Sequence, residues 1–259
     1  MPPTGTNSGA GTAIVTGGAR GIGRACALRL AEAGYDIAVW DVDEQAARAT
    51  ASEIIDRGGH AHSTTIDVAD ETAVEAAVAA IENKSPVSVL VNNAGILRLT
   101  PIDGLDLADW DAVIRVNLRG PLVCTRAVVP AMKRRERGAI INVVSNVVAA
   151  ARLHNGAYAA AKEGLLGLTK VLAIELATHC IRVNAISPGS TRTELMDTYD
   201  DEMLEGILRG SLEKYRIGIP LGRFADPADH ADAVAFLVSD AAAHITGQNL
   251  FTDGGQTLA

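Results

Sequence analysis

From Thr12 onward, short runs of β-branched and aliphatic residues alternate with longer Ala-rich stretches whose apolar positions recur at helical spacing. The short runs predict strands near 12–16, 36–40, 60–66, 87–92, 139–144, 181–186 and 248–252. Between them the spacing predicts helices near 21–33, 43–57, 70–83, 106–134, 157–178 and 227–238, with Gly34 and Gly58 as C-terminal stops. Regular alternation of strand and helix is the signature of repeated β-α-β units, so the expected fold class is α/β, a seven-stranded parallel sheet covered by helices. The alternation lapses over 190–225, where weakly periodic helical character separates the last two strands. That stretch is a candidate substrate lid. No repeat or linker divides 12–259, which reads as one domain. Residues 1–11 are rich in Gly, Ser, Thr and Pro, without the charged and apolar segments of a signal, and read as a flexible N-terminal tail.

Hydrophobic residues make up 48% of the chain and aromatics only 3%, so the core must be assembled from Ala, Val, Ile and Leu, as in helix-covered parallel sheets. A net charge of -8 argues against binding nucleic-acid backbones or anionic membrane surfaces, and no apolar run is long enough to span a bilayer. The expected partner is a small molecule. Cys26, Cys124 and Cys180 lie far apart in apolar contexts and form no C-x-x-C pair, so they read as reduced core residues of a cytoplasmic protein.

Directly after the first strand comes Thr16-Gly17-Gly18-Ala19-Arg20-Gly21-Ile22-Gly23, followed by a helical run. Glycines in such a turn let a pyrophosphate approach backbone N–H groups at a helix N-terminus, whose dipole favours negative charge. The strand-before, helix-after setting makes this a dinucleotide cradle rather than a plain turn. The second strand ends at Asp41, 18 residues past Gly23. A carboxylate there accepts hydrogen bonds from ribose hydroxyls and repels the extra phosphate of NADP. It also has a structural alternative, capping the next helix. Arg20 suits either cofactor, but Val42, Asp43 and Glu44 bring no cation, so NAD is favoured over NADP.

Tyr158 and Lys162 stand four residues apart in a predicted helix, which puts both on one face. An ammonium beside a phenol favours the phenolate, and a fall of about three units from the usual value near ~10 corresponds to roughly 4 kcal/mol. Such a tyrosine exchanges protons near neutrality. A bare Y-x-x-x-K is more often a surface pair; the surrounding motifs decide.

Taken together, these residues resemble the short-chain dehydrogenase/reductase family from about residue 12 to the end. The match adds Asp67-Val68 after the third strand, Asn92-Asn93-Ala94-Gly95 at the end of the fourth, and Asn117 in the long fifth helix. Ser145 precedes Tyr158 by 13 residues, Pro188-Gly189 follows the sixth strand with Thr191 and Thr193, and Asp253-Gly254-Gly255 follows the seventh. The resemblance implies a doubly wound, single-domain Rossmann fold that binds NAD and moves hydride between its nicotinamide and a carbon bearing oxygen. It implies that Gly17, Arg20, Gly21, Ile22 and Gly23 cradle the pyrophosphate, Asp67 and Val68 meet the adenine, and Asn93, Ala94 and Gly95 line the cleft. Pro188, Gly189, Thr191 and Thr193 would hold the nicotinamide end. Tyr158 would be the acid/base, Ser145 would orient the substrate oxygen, Lys162 would tune Tyr158 and bind the ribose, and Asn117 would extend a proton relay through water.

The expected substrate is a secondary alcohol or its ketone, cyclic or aryl-substituted. Some stretches are similar to 2,3-dihydro-2,3-dihydroxybenzoate dehydrogenases, among them Ala94-Gly95-Ile96-Leu97-Arg98 and Ser187-Pro188-Gly189-Ser190-Thr191. A ring carboxylate would need a cation, supplied by Arg98 or Arg152. Asn146 beside Ser145, and Leu195, Met196 and Tyr199 in the lid, would meet an apolar or aromatic part of the substrate. A 3-oxoacyl carrier-protein reductase is a rival, disfavoured by Asp41 and the acidic net charge; an NAD-sensing scaffold is the non-enzymatic rival. Ser145 lacks the Gly-x-Ser-x-Gly setting of a hydrolase nucleophile, and His60 with His62 make too few ligands for a metal, so no metal is assigned. Family members pair their long helices across subunits, and Ala159, Leu165, Leu168 and Leu172 fit such a face, so a homotetramer is expected.

Overall fold

β1 (Thr12–Thr16) lies inside a seven-stranded parallel sheet of order β3-β2-β1-β4-β5-β6-β9. The computed structural model describes residues 11–258 apart from 195, 197, 198 and 214; the predicted tail lies almost wholly outside the described residues. The remaining strands are β2 (Asp36–Asp41), β3 (Ala61–Thr65), β4 (Val87–Asn92), β5 (Gly138–Val143), β6 (Ile181–Pro188) and β9 (Asn249–Thr252). Between them run α1 (Gly21–Glu32), α2 (Glu44–Asp56), α3 (Glu71–Glu82), α4 (Leu107–Ile114), α5 (Gly120–Arg135), α6 (Gly156–Ala177) and α8 (Pro227–Val238). The chain winds outward from β1 to β3, then returns to place β4 against β1's other edge. The order reverses there, and a crevice opens at the C-terminal ends of β1 and β4.

Alternate residues of each strand feed two cores. Ala13, Val15, Ile37, Val39, Val89, Val91 and Ile141 pack under α1, α2 and α8. Ile14, Ala38, Trp40, Leu90 and Ile140 point the other way, under α3, α5 and α6. Apolar side chains on both faces explain why these strands read as continuous hydrophobic runs. Truncating a fully buried one, such as Ile141 or Leu90, to Ala costs about 2–5 kcal/mol.

Helix starts are set by aspartates. Asp43, Asp70 and Asp106 accept from Ala46, Ala73 and Ala108 N–H at 3.0, 3.0 and 2.9 Å. Gly34 and Gly58, just past the ends of α1 and α2, adopt φ of +91° and +86°, the left-handed conformation expected of helix stops.

Two expectations need correction and a third needs detail. The helix expected over 106–134 is unbroken over 107–135, with α4 and α5 joined by a π-helical turn at Arg115–Arg119. One extra residue in that turn shifts the register of the apolar face, which sequence spacing alone does not reveal. Leu165 and Leu172 are buried in the chain's own core and Leu168 packs against it, so they are not a free face; the exposed apolar side chains of α6 are Val171 and Ile174. Cys180 is exposed on the turn before β6, whereas Cys26 and Cys124 are buried and burial pushes both thiols up to about 12. Within 190–225 the chain forms α7 (Asp201–Arg209) and a short antiparallel hairpin, β7 (Gly210–Ser211) with β8 (Arg216–Ile217).

Candidate active site

The crevice is braced by one hydroxyl. Thr16 Oγ1 accepts the backbone N–H groups of Asn93 and Ala94, both at 3.0 Å, and donates to Val91 O at 3.3 Å. Asn93 Nδ2 donates back to Thr16 O and Gly17 O, each at 3.0 Å. The turn after β1 is thereby tied to the end of β4. A Cβ on Gly23 would sit 2.0 Å from Gly17 O, and one on Gly17 would sit 2.8 Å from Ala94 Cα, so glycine alone permits this approach. Gly21 faces the Thr193 side chain, which a Cβ would meet at 3.3 Å, and Ile22 packs toward the first core. Helix α1 begins at Arg20 with no side-chain cap, unlike α2, α3 and α4. Its first N–H groups are left for an external acceptor, and these features fit a pyrophosphate.

At the end of β2, Asp41 accepts from Ala19 N–H through Oδ2 and from Asp43 N–H through Oδ1, both at 3.1 Å. Asp41 thus holds the glycine turn in shape. Arg20 pairs with Asp43, so the nearby cation is already partly neutralised. Asp67 is bonded by Arg115 Nη1 at 2.6 Å and Ala69 N–H at 2.9 Å. Burial opposes its ionisation, but the Arg115 guanidinium and that N–H hold its carboxyl below the usual range. Val68 is buried against Gly120. Gly189 abuts Asp253, where a Cβ would lie 2.7 Å from Cα.

On the other side of the crevice, Ser145 ends the segment after β5 and Tyr158 lies in the first turn of α6. Lys162, one turn on, is buried; its Nζ donates to Val143 O at 2.7 Å and stands 5.6 Å from the centre of the Tyr158 ring. Burial raises the Tyr158 phenol above its ordinary value, and the Ser145 side chain works in the opposite direction. This is opposite to the direction expected from the Tyr–Lys spacing: desolvation is the largest cause at Tyr158, and Lys162 itself is lowered by burial to about 8. Asn117 sits at the centre of the π-turn, fully buried. Its Nδ2 donates to Ile96 O at 2.8 Å and Val113 O at 3.0 Å, while its Oδ1 has no partner among the described residues. A Cβ on Gly95 would fall 2.6 Å from that Oδ1.

Pro188 is buried, and Thr191 Oγ1 donates to Gly189 O at 3.0 Å and lies 2.8 Å from His230 Nε2. His230 Nδ1 is 2.8 Å from Thr252 Oγ1. Because Thr191's single proton goes to Gly189, His230 donates from Nε2 and accepts at Nδ1. Burial holds this imidazole at about 4, neutral at ordinary pH. Of the substrate candidates, Asn146 is buried and donates to Gln256 Oε1 at 2.9 Å, Arg152 is half-buried, and Met196 and Tyr199 are half-buried. Arg98 is half-exposed and lies 3.6 Å from Asp109, and Leu195 lies outside the described residues.

Sequence reasoning missed Thr16 as a brace, His230, Gln256 and Arg216. Thr16 heads the glycine turn, and His230 occupies an apolar-face position of a helix, so both carried a signal. Gln256 and Arg216 reach the site from the C-terminal segment and from a two-residue strand, which no periodicity places.

A family model described as enoyl-(acyl carrier protein) reductase matches residues 17–257. The chain is 41% identical over 249 residues to a 2,3-dihydro-2,3-dihydroxybenzoate dehydrogenase of Bacillus subtilis, covering 95% of each chain. It is 40% identical over 249 residues to a 3-oxoacyl-[acyl-carrier-protein] reductase of Staphylococcus aureus, covering 95% of this chain and 98% of that one. Among solved structures, a gluconate 5-dehydrogenase from Burkholderia cenocepacia in complex with NADP and tartrate superposes with a TM-score of 0.88 at 36% identity, covering 96% of this chain and 95% of that one.

Proposed function

The chain is an oxidoreductase of the short-chain dehydrogenase/reductase family, and from that premise we propose that it interconverts a small cyclic or aryl-substituted secondary alcohol and its ketone with NAD(H). The observation that carries this reading is the buried ammonium of Lys162, held by Val143 O and 5.6 Å from the centre of the Tyr158 ring, with Ser145 acting on the same phenol. The nicotinamide supplies the hydride chemistry. Every proton step falls to the protein. In oxidation Tyr158 accepts the alcohol proton, and in reduction it returns one, while Ser145 donates to the same oxygen and fixes its approach. Lys162 uses one donor on Val143 O and has two more, enough to bind the ribose and to set a positive charge beside the phenolate as it forms. The orphaned Oδ1 of Asn117 gives a relay water its acceptor.

NAD rather than NADP is supported by the Asp41 carboxylate at the ribose end and by the pairing of Arg20 with Asp43. The relative from Burkholderia holds NADP, so comparing kcat/KM for the two dinucleotides is the direct check. Gly17, Gly21, Ile22, Gly23, Asp67, Val68, Asn93, Ala94, Gly95, Pro188, Gly189, Thr191 and Thr193 complete the proposed cofactor surface. Residues 190–225 are proposed as the lid, the assembly as a homotetramer, and the location as cytoplasmic, in keeping with the buried free thiols of Cys26 and Cys124. Among the described residues no helix is long and apolar enough to cross a membrane.

Replacing Tyr158 with Phe removes the exchangeable proton and keeps the ring. Turnover is expected to fall by about 10³-fold while NADH binding, read by fluorescence, is retained. Turnover near that of the unmodified enzyme would refute the assignment.

A further inference from the structure

Two arginines beside this site make no ion pair among the described residues. Arg152 comes from the segment before α6 and Arg216 from β8, and each charge opposes the other. Among the described residues their hydrogen bonds go only to neutral oxygens. Arg152 Nη1 donates to Ala150 O at 2.9 Å and Ala151 O at 3.3 Å, and Arg216 Nη2 donates to Ser190 Oγ at 2.8 Å. Arg152 Nη2, Arg216 Nε and the neighbouring Gln256 Nε2 are buried donors with no acceptor among the described residues. Burial lowers both guanidinium groups, Arg216 to about 10. A charged donor taken out of water without an acceptor is costly, and two such cations side by side are costlier still.

The nearest opposite charge is Asp253, which attracts Arg152 without bonding to it; its Oδ1 accepts Gly255 N–H at 3.0 Å and its Oδ2 is also unpartnered. Two guanidinium groups and one carboxylate leave a net charge of +1. That residue of charge, with three idle donors, calls for a monoanion with two or more oxygen acceptors. The cluster also connects to the reacting groups. Ser190 Oγ donates to Gln256 Oε1 at 3.4 Å, and the same oxygen accepts from Asn146, the residue after Ser145. The short segment from Ser145 to Tyr158 therefore carries the proposed acid/base at one end and a free cation midway.

We propose that Arg152 and Arg216, with Gln256 joined to Arg216 through Ser190, form a carboxylate subsite, and that the substrate is a secondary alcohol bearing a carboxylate on its ring or chain. The inference rests on the oxidoreductase reading of the site and narrows its substrate class. A monocarboxylate brings the cluster to neutrality, whereas a phosphate monoester would overshoot it. Because Arg216 rides on the insertion and Arg152 on the segment before α6, the bound carboxylate also ties the insertion to the catalytic wall.

The test has a binding arm and a turnover arm. In the first, benzoate, benzamide and phenyl phosphate are titrated by calorimetry into the NADH-bound protein. Benzoate is expected to bind at least about 30-fold more tightly than benzamide, the scale of a charge-assisted pair. In Arg216→Gln, and separately in Arg152→Gln, that ratio is expected to collapse several-fold, with near-ultraviolet circular dichroism confirming the fold. In the second arm, 3-hydroxycyclohexanecarboxylate is compared with its carboxamide, and each variant is expected to lose far more kcat/KM on the acid than on the amide. Equal binding of benzoate and benzamide, or a ratio unchanged in both variants, overturns the subsite. Tighter binding of phenyl phosphate than of benzoate overturns the carboxylate assignment. The two readings fail separately: arginine-dependent benzoate binding without turnover of any alcohol sinks the oxidoreductase chemistry, and turnover of neutral alcohols without benzoate binding sinks the subsite.

Discussion

Burial sets the chemistry of single residues here more strongly than neighbouring charge does. Lys162 has its ordinary value of 10.5 in the unfolded chain and about 8 when folded. Between those values the unfolded chain holds one more proton, so stability rises as pH increases through that window and the full penalty is present below pH 8. The shift corresponds to about 3 kcal/mol. Lys162→Met has no such penalty, so the stability of the natural protein relative to this variant is expected to climb by up to that amount between pH 8 and 10.5, as read from urea midpoints. A flat difference would show that the ammonium is not desolvated. His230 behaves in the same sense at lower pH. Its folded value of about 4 lies below the unfolded 6.5, so stability is complete above 6.5 and is lost as pH falls toward 4. His230→Leu is expected to be less stable at pH 7, because it strands the hydroxyls of Thr191 and Thr252, yet to lose less between pH 6.5 and 4 than the natural protein. The same steepness in both would remove His230 as the titrating group. Ser145 and Asn117 were offered by the family resemblance, while the pairing of Tyr158 with Lys162 was legible from helical spacing. The direction of the Tyr158 shift was not, since spacing reports which groups are neighbours and says nothing of how far water is excluded.

At the scale of elements, the inner strands were readable because their residues are apolar on both faces, while the edge strands β3 and β9 were marked by β-branched or aromatic residues at their place in the alternation. The long helix was readable but its π-turn was not, because one extra residue in a turn leaves the sequence pattern nearly intact. The hairpin of β7 and β8 was invisible for a simpler reason, strands of two residues carry no period. The glycine turn makes the sharpest claim about an element. A methyl at Gly23 would meet Gly17 O at 2.0 Å and Asn93 Nδ2 at 2.5 Å, so α1 could not start where it does. Gly23→Ala is expected to cost about 1–3 kcal/mol in stability and to weaken NADH binding, since the first N–H groups of α1 shift with the turn. Gly206→Ala in α7, where an added methyl meets nothing within 4 Å, should instead stabilise by up to ~1 kcal/mol. Equal effects of the two substitutions in calorimetry would show that the close approach at Gly23 does not constrain the fold.

For the whole molecule, two of the groups of exposed apolar residues lie where regular elements are left uncovered, on α6 and at the β9 edge of the sheet. On α6, Gly167, Val171 and Ile174 recur at helical spacing, and Val171 and Ile174 are 51% and 79% exposed. At the far edge of the sheet, Leu250 and Phe251 of β9 and Phe236 of α8 are also exposed, beside the unpaired edge of the last strand. Such an edge invites pairing, and two distinct self-complementary patches are what a tetramer of paired dimers requires. Light scattering is expected to give the mass of four chains. Val171→Glu with Ile174→Glu should break one interface and Phe251→Glu the other, each leaving dimers, and all three together should leave monomers. A natural protein that runs as a monomer would sink this assembly. Because Tyr158 and Lys162 lie on the same helix as the first patch, loss of that interface is expected to loosen the N-terminal half of α6. Turnover in the α6 variant should therefore fall more than in Phe251→Glu, although neither substitution touches the crevice.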